Sequence, residues 1–171
     1  MRTISTERVV LEPQSAAHAQ EMFEVLSDPA IYEHENAPPE SVEWLRERYQ
    51  KLETRRSADG TQHWLNWVIR VPTSELIGYV QATVHPDGRA AIAYELGSRW
   101  WGRGLAAAAV RAMIPVLVED YGVRRLYAVF KRTNHRSQRL LVRLGFSPAS
   151  PALEEALGVE PDELLMVREA T

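Results

Sequence analysis

Apolar residues recur at two different periods along this chain, and the changes of period mark its elements. Arg8-Val9-Val10-Leu11-Glu12-Pro13 predicts a first strand. After Ser15, a natural helix cap, Ala16, Ala19, Met22, Phe23 and Leu26 fall at three- and four-residue steps, predicting one buried helical face through about Ser27. Asp28-Pro29 ends that helix, because the residue before a proline is pushed out of the helical region. Ile31 to Pro38 reads as a loop rich in His, Glu and Tyr. Val42, Leu45, Tyr49 and Leu52 repeat the helical step and predict a second helix over about Glu40 to Arg56.

The period then shortens. His63 to Val71, Leu76 to Val84 and Arg89 to Leu96 read as three strands. Pro72-Thr73-Ser74 and Pro86-Asp87-Gly88 connect them, turns short enough for an antiparallel meander. An alanine-rich helix is predicted from Leu105 to about Tyr121, with Gly122 as a left-handed cap. Pro115 lies inside it and lacks the N–H that would bond the Arg111 carbonyl. It predicts a bend there, or a helix that restarts at Pro115. Arg125 to Phe130 is the next strand, Asn134 to Leu144 a helix closed by Gly145, and Glu163 to Arg168 a final strand. No repeat, low-complexity segment or interdomain linker interrupts the pattern, so residues 1–171 are expected to form one domain.

Between the last meander strand and the alanine-rich helix stands Arg99-Trp100-Trp101-Gly102-Arg103-Gly104-Leu105-Ala106. Two glycines one residue apart allow bare backbone to approach a ligand. A helix start adds unpaired N–H groups and the positive end of a dipole. The combination suits a phosphate or pyrophosphate. Gly102-x-Gly104-x-x-Ala107 also fits the dinucleotide fingerprint of a hydride-transfer enzyme. That fingerprint follows the first strand of a parallel β-α-β unit. Here a meander precedes it, and the acidic pair Glu119-Asp120 falls at a helix end.

Composition narrows the chemistry further. The net charge of -3 supplies no electrostatic footprint for bulk nucleic-acid binding. There is no cysteine, which rules out disulfides, thiolate metal sites and cysteine nucleophiles. His18, His63, His85 and His135 lack metal-ligand spacing, so no metal is expected. The amino terminus has no apolar signal segment, and no apolar run approaches the ~20 residues of a membrane span. The expectation is a cytoplasmic protein with no membrane partner.

A second stretch decides which pyrophosphate. Asn134 to Phe146 has the form N-x-x-S-x-x-L-x-x-x-L-G-F. Together with Tyr94 to Gly104 ahead of it, the chain resembles the GCN5-related N-acetyltransferase superfamily. Within it, the chain is most similar to the ribosomal-protein alanine N-acetyltransferase group, whose opening Thr6-Glu7-Arg8-Val9-Val10-Leu11-Glu12-Pro13 also matches. The resemblance implies a single-domain α/β (α+β) fold: a mixed, mostly antiparallel sheet, helices on both faces and a splayed central cleft. It implies acetyl-CoA as co-substrate and direct transfer to a primary amine, on a small molecule or a protein N-terminus. A homodimer stays open, as does a non-catalytic acyl-CoA-binding or regulatory module on the same fold.

The resemblance also implies site residues. Leu96, Arg99, Trp101, Gly102, Arg103, Gly104, Leu105 and Ala106 would border the cofactor, with the Leu96 amide facing the thioester oxygen. Asn134 and Ser137 would complete the cleft, Ser137 near the sulfur as proton donor; helix capping alone also explains both. Relatives often carry a tyrosine acid where this chain has Leu141. Glu95 is the expected base for a protonated amine, and its loss is expected to matter mainly at lower pH. A solvated or ion-paired strand glutamate is the plainer reading. Glu33, His34 and Glu35 lie where relatives border the acceptor. Arg103, Lys131, Arg132, Arg136 and Arg139 flank the motifs, and some could hold phosphate.

Overall fold

The computed structural model describes residues 1–171. Eight strands form one sheet in the order β1-β2-β3-β4-β5-β6-β8-β7. They are β1 (Ile4–Ser5), β2 (Val10–Pro13), β3 (His63–Arg70), β4 (Leu76–Val84), β5 (Arg89–Leu96), β6 (Arg125–Lys131), β7 (Ser147–Pro148) and β8 (Glu163–Glu169). Every neighbouring pair is antiparallel except β5 and β6. That exception shapes the molecule. The two strands pair only from Arg89–Ala91 to Arg125–Tyr127 and separate beyond. From Ile92 to Leu96, β5 has no strand on its β6 side, so a wedge opens in mid-sheet.

Side chains alternate across a strand, so each face collects every second residue. Leu65, Trp67 and Ile69 of β3, with Val80 and Ala82 of β4, point to one face. There they join the core made by helices α3 (Leu105–Tyr121) and α4 (His135–Arg143). Val68 and Tyr79 point the other way, against α1 (Ala19–Leu26) and α2 (Val42–Leu52). Helices therefore cover both faces, as the resemblance implies. A short helix α5 (Pro151–Ala156) precedes β8.

The predicted elements stand, with shifted edges. The first helix opens with a 3-10 turn, Ala16–His18, in which the His18 Nδ1 accepts from the Ser15 N–H at 3.0 Å. The second helix is shorter than the expected Glu40–Arg56 and spans just its apolar stripe, Val42–Leu52; Ser41 caps its start by accepting from the Trp44 N–H at 3.0 Å. Helix α3 continues through Pro115 rather than restarting there, and Pro115 lies on its exposed side. Gly122 caps it with φ +65, as predicted. Strands β1 and β7 and helix α5 are additions, all short and mostly exposed.

Candidate active site

The glycine turn is built by three anchors. Asp28 Oδ2 accepts from the Ser98 N–H at 2.6 Å, which fixes the 3-10 turn Ser98–Trp100 after β5. The Trp101 Nε1 donates to the Leu96 carbonyl at 2.9 Å and folds the turn back on its strand. Arg8 from the chain start donates to the Arg103 carbonyl at 2.5 Å. Gly102 and Gly104 then take φ +73 and +72, a region costly for other residues. A side chain at Gly104 would begin 3.2 Å from the Arg8 guanidinium. Gly104 is the cap of α3, whose first internal bond runs from the Ala108 N–H to the Gly104 carbonyl. The amides before Ala108 have no partner within the helix.

These amides border a cavity of about 460 Å³. Arg8, Arg111, Arg136, Arg139 and Arg143 line it, and no acidic residue does. None of the five arginines is ion-paired. The last three lie three and four residues apart on α4 and so share one helical face. The Arg136 guanidinium carbon also lies over the Trp101 ring, 3.3 Å from its centroid. A cluster of unpaired guanidinium groups beside a helix start repels itself unless an anion occupies the space. In a chain of net charge -3, this concentration of positive charge is local and specific.

The cavity opens beside the wedge. The Gly97 N–H donates to Ile77 at 2.9 Å, so Gly97 faces β4. By the alternation of an antiparallel ladder, the Leu96 N–H faces the wedge. Its carbonyl is taken by Trp101, and its amide stands at the wedge's edge within reach of the Glu95 carboxyl. Side chains of β5 flank this amide on both faces. Tyr94 points toward α4, where its hydroxyl lies 2.7 Å from the Ser137 Oγ. Burial holds the Tyr94 phenol at about 12, so it stays protonated. Glu95 points toward α1 and α2. Burial pushes its carboxyl up to about 7, and Glu35 and Asp28 add to the rise. The Leu96 amide and the Arg136 charge pull it partly back.

On the Glu95 side is a second pocket, of about 550 Å³, between the sheet, α2 and the segment after α1. Tyr32, Tyr49, Tyr79, Trp44 and Glu35 are among its walls. One strand thus separates an arginine-lined cavity from an aromatic pocket, with an amide donor, a poised carboxylate and a hydroxyl pair at the divide.

The sequence profile described as acetyltransferase (GNAT) domain matches residues 8–147. The chain belongs to the GNAT acetyltransferase family. It is an acyltransferase, and GNAT enzymes draw their acetyl group from acetyl-CoA. The uncharacterised N-acetyltransferase p20 of Bacillus licheniformis is 29% identical over 149 residues, covering 85% of this chain and 83% of its own. The fold is similar to that of RimL, a ribosomal alpha-N-protein acetyltransferase solved in complex with coenzyme A. Its TM-score is 0.80 at 17% identity, over 98% of both chains. A ribosomal-protein-S5-alanine acetyltransferase from Vibrio fischeri has a TM-score of 0.77 at 17% identity, over 99% of this chain and 97% of that one.

Within this GNAT domain, Leu96, Trp101, Gly102, Gly104, Leu105 and Ala106 border the arginine-lined cavity. Arg99 does not: it pairs with Glu75 at 2.6 Å and faces a separate, acidic depression. Arg103 stacks on Trp100 at 5.1 Å. Asn134 caps α4, its Oδ1 accepting from the Ser137 N–H at 3.1 Å. Lys131 pairs with Asp162 and Glu163, and Arg132 donates to the Pro161 carbonyl; both join β6 to the segment before β8, and neither lines the arginine-rich cavity. Glu35 reaches the aromatic pocket. Glu33 is exposed, and His34 bonds Thr133 at 2.9 Å. Leu141 is fully buried in the core. Sequence reasoning missed Arg8, Arg111, Arg143 and Tyr94. The helical spacing of Arg136, Arg139 and Arg143 was a usable signal for one of them.

Proposed function

We propose that this enzyme transfers an acetyl group from acetyl-CoA to a primary amine by direct attack. The observation that carries the reading is the division made by β5, with Leu96 at the wedge, Glu95 on one face and the Tyr94–Ser137 pair on the other. The arginine-lined cavity fits the phosphates of coenzyme A, since it offers five unpaired cations, bare glycine backbone and free helix amides. Acetyl-CoA supplies the activated acyl group. The protein's residues do the rest. The Leu96 N–H donates to the oxygen on which charge develops. Glu95 takes the proton that the attacking amine must lose. Ser137, held by the Tyr94 hydroxyl, gives its proton toward the departing sulfur. The chain has no cysteine to carry the acyl group, which favours a single displacement.

The test has two readouts. Coenzyme A binding is measured by calorimetry, and thiol release on an amine panel by absorbance. Arg139→Glu reverses one charge on the cavity wall and is expected to weaken coenzyme A at least tenfold without unfolding the protein. Unchanged affinity would reject the cavity as the coenzyme site. Binding by the wild type with no thiol release on any amine would leave a coenzyme-binding module in place of a transferase.

A further inference from the structure

We propose that the aromatic pocket takes a small primary amine with an apolar body and a neutral hydrogen-bonding end, and excludes a protein N-terminus. The acetyl-transfer reading enters only in saying which end of that molecule reacts. A volume of about 550 Å³ matches a small-molecule site.

Its two ends differ. At the β5 end stand both carboxylates, Glu95 and Glu35. Tyr79 joins them, its phenol pushed up by burial and by the charge of Glu95, and its hydroxyl has no protein partner. Arg48 also lines the pocket and acts on Tyr79, so an ammonium group arriving here meets two carboxylates and one guanidinium, and it loses its proton to Glu95. At the far end the sheet presents amides. Gln14 (the residue after β2), Asn66 (β3) and Gln81 (β4) lie side by side, through the Gln14–Asn66 backbone bond and the Asn66–Gln81 register, and the row runs up to Gln81, the diagonal neighbour of Glu95. Gln81 has no side-chain partner in the protein, and Asn66 has only a 3.5 Å contact to the Trp64 carbonyl. Gln14 and Tyr49 each hold a buried polar atom without a partner. Those two atoms are sealed from the cavity, so the part-exposed, partnerless Gln81 amide is the group that a ligand hydroxyl or amide reaches. No carboxylate lies at this end, so a second ammonium group has nothing to pair with. Between the ends the wall is apolar, from Ile31, Leu45 and Leu52, and Val129 of β6 adds to it beyond β5.

The segment between α1 and α2 forms a strap over this space. Tyr32 fastens it by donating to the Leu26 carbonyl at 2.5 Å, and His34 fastens it to Thr133 at 2.9 Å. Thr133 lies just before α4, across the wedge. A polypeptide leaving the site past Glu95 meets this bridge, whereas a small amine fits inside it.

Four probes test the proposal at saturating acetyl-CoA: tyramine, phenethylamine, spermidine and an alanine-initiated hexapeptide. Tyramine is expected to exceed spermidine and the hexapeptide at least tenfold in kcat/KM. Gln81→Leu is expected to bring the tyramine-to-phenethylamine ratio toward one, and Gln81→Glu to shift preference toward spermidine. His34→Ala, which frees the strap, is expected to raise turnover of the hexapeptide relative to tyramine. A lead for the hexapeptide or spermidine in the wild type overturns the proposal, as does an unmoved preference in both Gln81 variants. Calorimetry with tyramine and coenzyme A separates this from the transfer reading. Tyramine binding without thiol release keeps the pocket and sinks the transfer. The absence of both binding and release overturns the pocket itself.

Discussion

Glu95→Gln should stabilise this protein at pH 8 and do little at pH 4.5. The carboxyl has an ordinary value of 4.5 and is held at about 7 in the fold. Between those values the folded chain binds a proton that the unfolded chain has released. Stability from this group therefore falls as pH rises through 4.5 and is fully lost above about 7. The difference is worth about 3 kcal/mol at ~1.4 kcal/mol per pKa unit. Glutamine keeps the shape and carries no charge to desolvate. For a domain of this size, ~2–4 °C in Tm per kcal/mol gives a gain of roughly 6–12 °C at pH 8. Thermal unfolding of both proteins from pH 4.5 to 8.5, followed by circular dichroism, measures it. A gap that stays constant with pH, or a variant less stable at pH 8, would refute the reasoning. Activity should move the opposite way. Wild-type kcat/KM should level off above about pH 7, while the variant climbs with the titration of the amine itself. The sequence expectation of an effect mainly at lower pH assumes an ordinary carboxylate; burial moves the useful window above 7.

Tyr94→Phe and Ser137→Ala should each lower kcat several-fold while leaving coenzyme A affinity unchanged, and the double variant should lose little more than either alone, because the two hydroxyls act as one pair. Additive losses in a kinetic double-mutant cycle would separate them. Asn134→Ala removes the α4 cap and should cost about 1 kcal/mol, seen as a Tm lower by ~2–4 °C. Activity lost beyond the folded fraction would assign Asn134 a part in the cleft as well. Coenzyme A affinity should fall with added salt, and Arg143→Gln should flatten that dependence by removing one of the cavity's cations. An unchanged salt slope would place the phosphates elsewhere.

The sequence makes the sheet and its long helices legible because their apolar periods are sustained. Val42, Leu45, Tyr49 and Leu52 leave little choice but a helix, and Leu45 and Tyr49 are buried as that stripe requires. Ends are less legible, since they depend on side-chain bonds such as Ser41 to Trp44 rather than on period. The glycine turn is visible because positive φ leaves a signature in residue type. Arg8 is not, because its role comes from a contact with Arg103, 95 residues away. Arg99 fails in the opposite direction: the motif places it beside the cofactor, whereas Glu75, 24 residues upstream, draws it to another depression. Tyr94 reads as one more apolar residue of a strand, and only the approach of α4 gives its hydroxyl a partner.

One geometric choice, the short parallel pairing of β5 with β6, links these features. Had the ladder continued past Ala91, the Leu96 amide would be consumed by a neighbouring strand and no fixed donor would remain. Because it stops, the alternation of β5 places Tyr94 and Glu95 on opposite faces of the same gap. A proton donor and a proton acceptor set on one face would share a hydrogen bond and neutralise each other. Separated by the strand, they keep different surroundings: Tyr94 bonds a serine and stays protonated, while burial, helped by Glu35 and Asp28, holds Glu95 at about 7. The same burial that makes Glu95 a base near neutral pH lowers the stability of the fold above that pH. A destabilised residue at the edge of the wedge is thus what the chemistry requires, and its position on β5, not its identity alone, gives it that property.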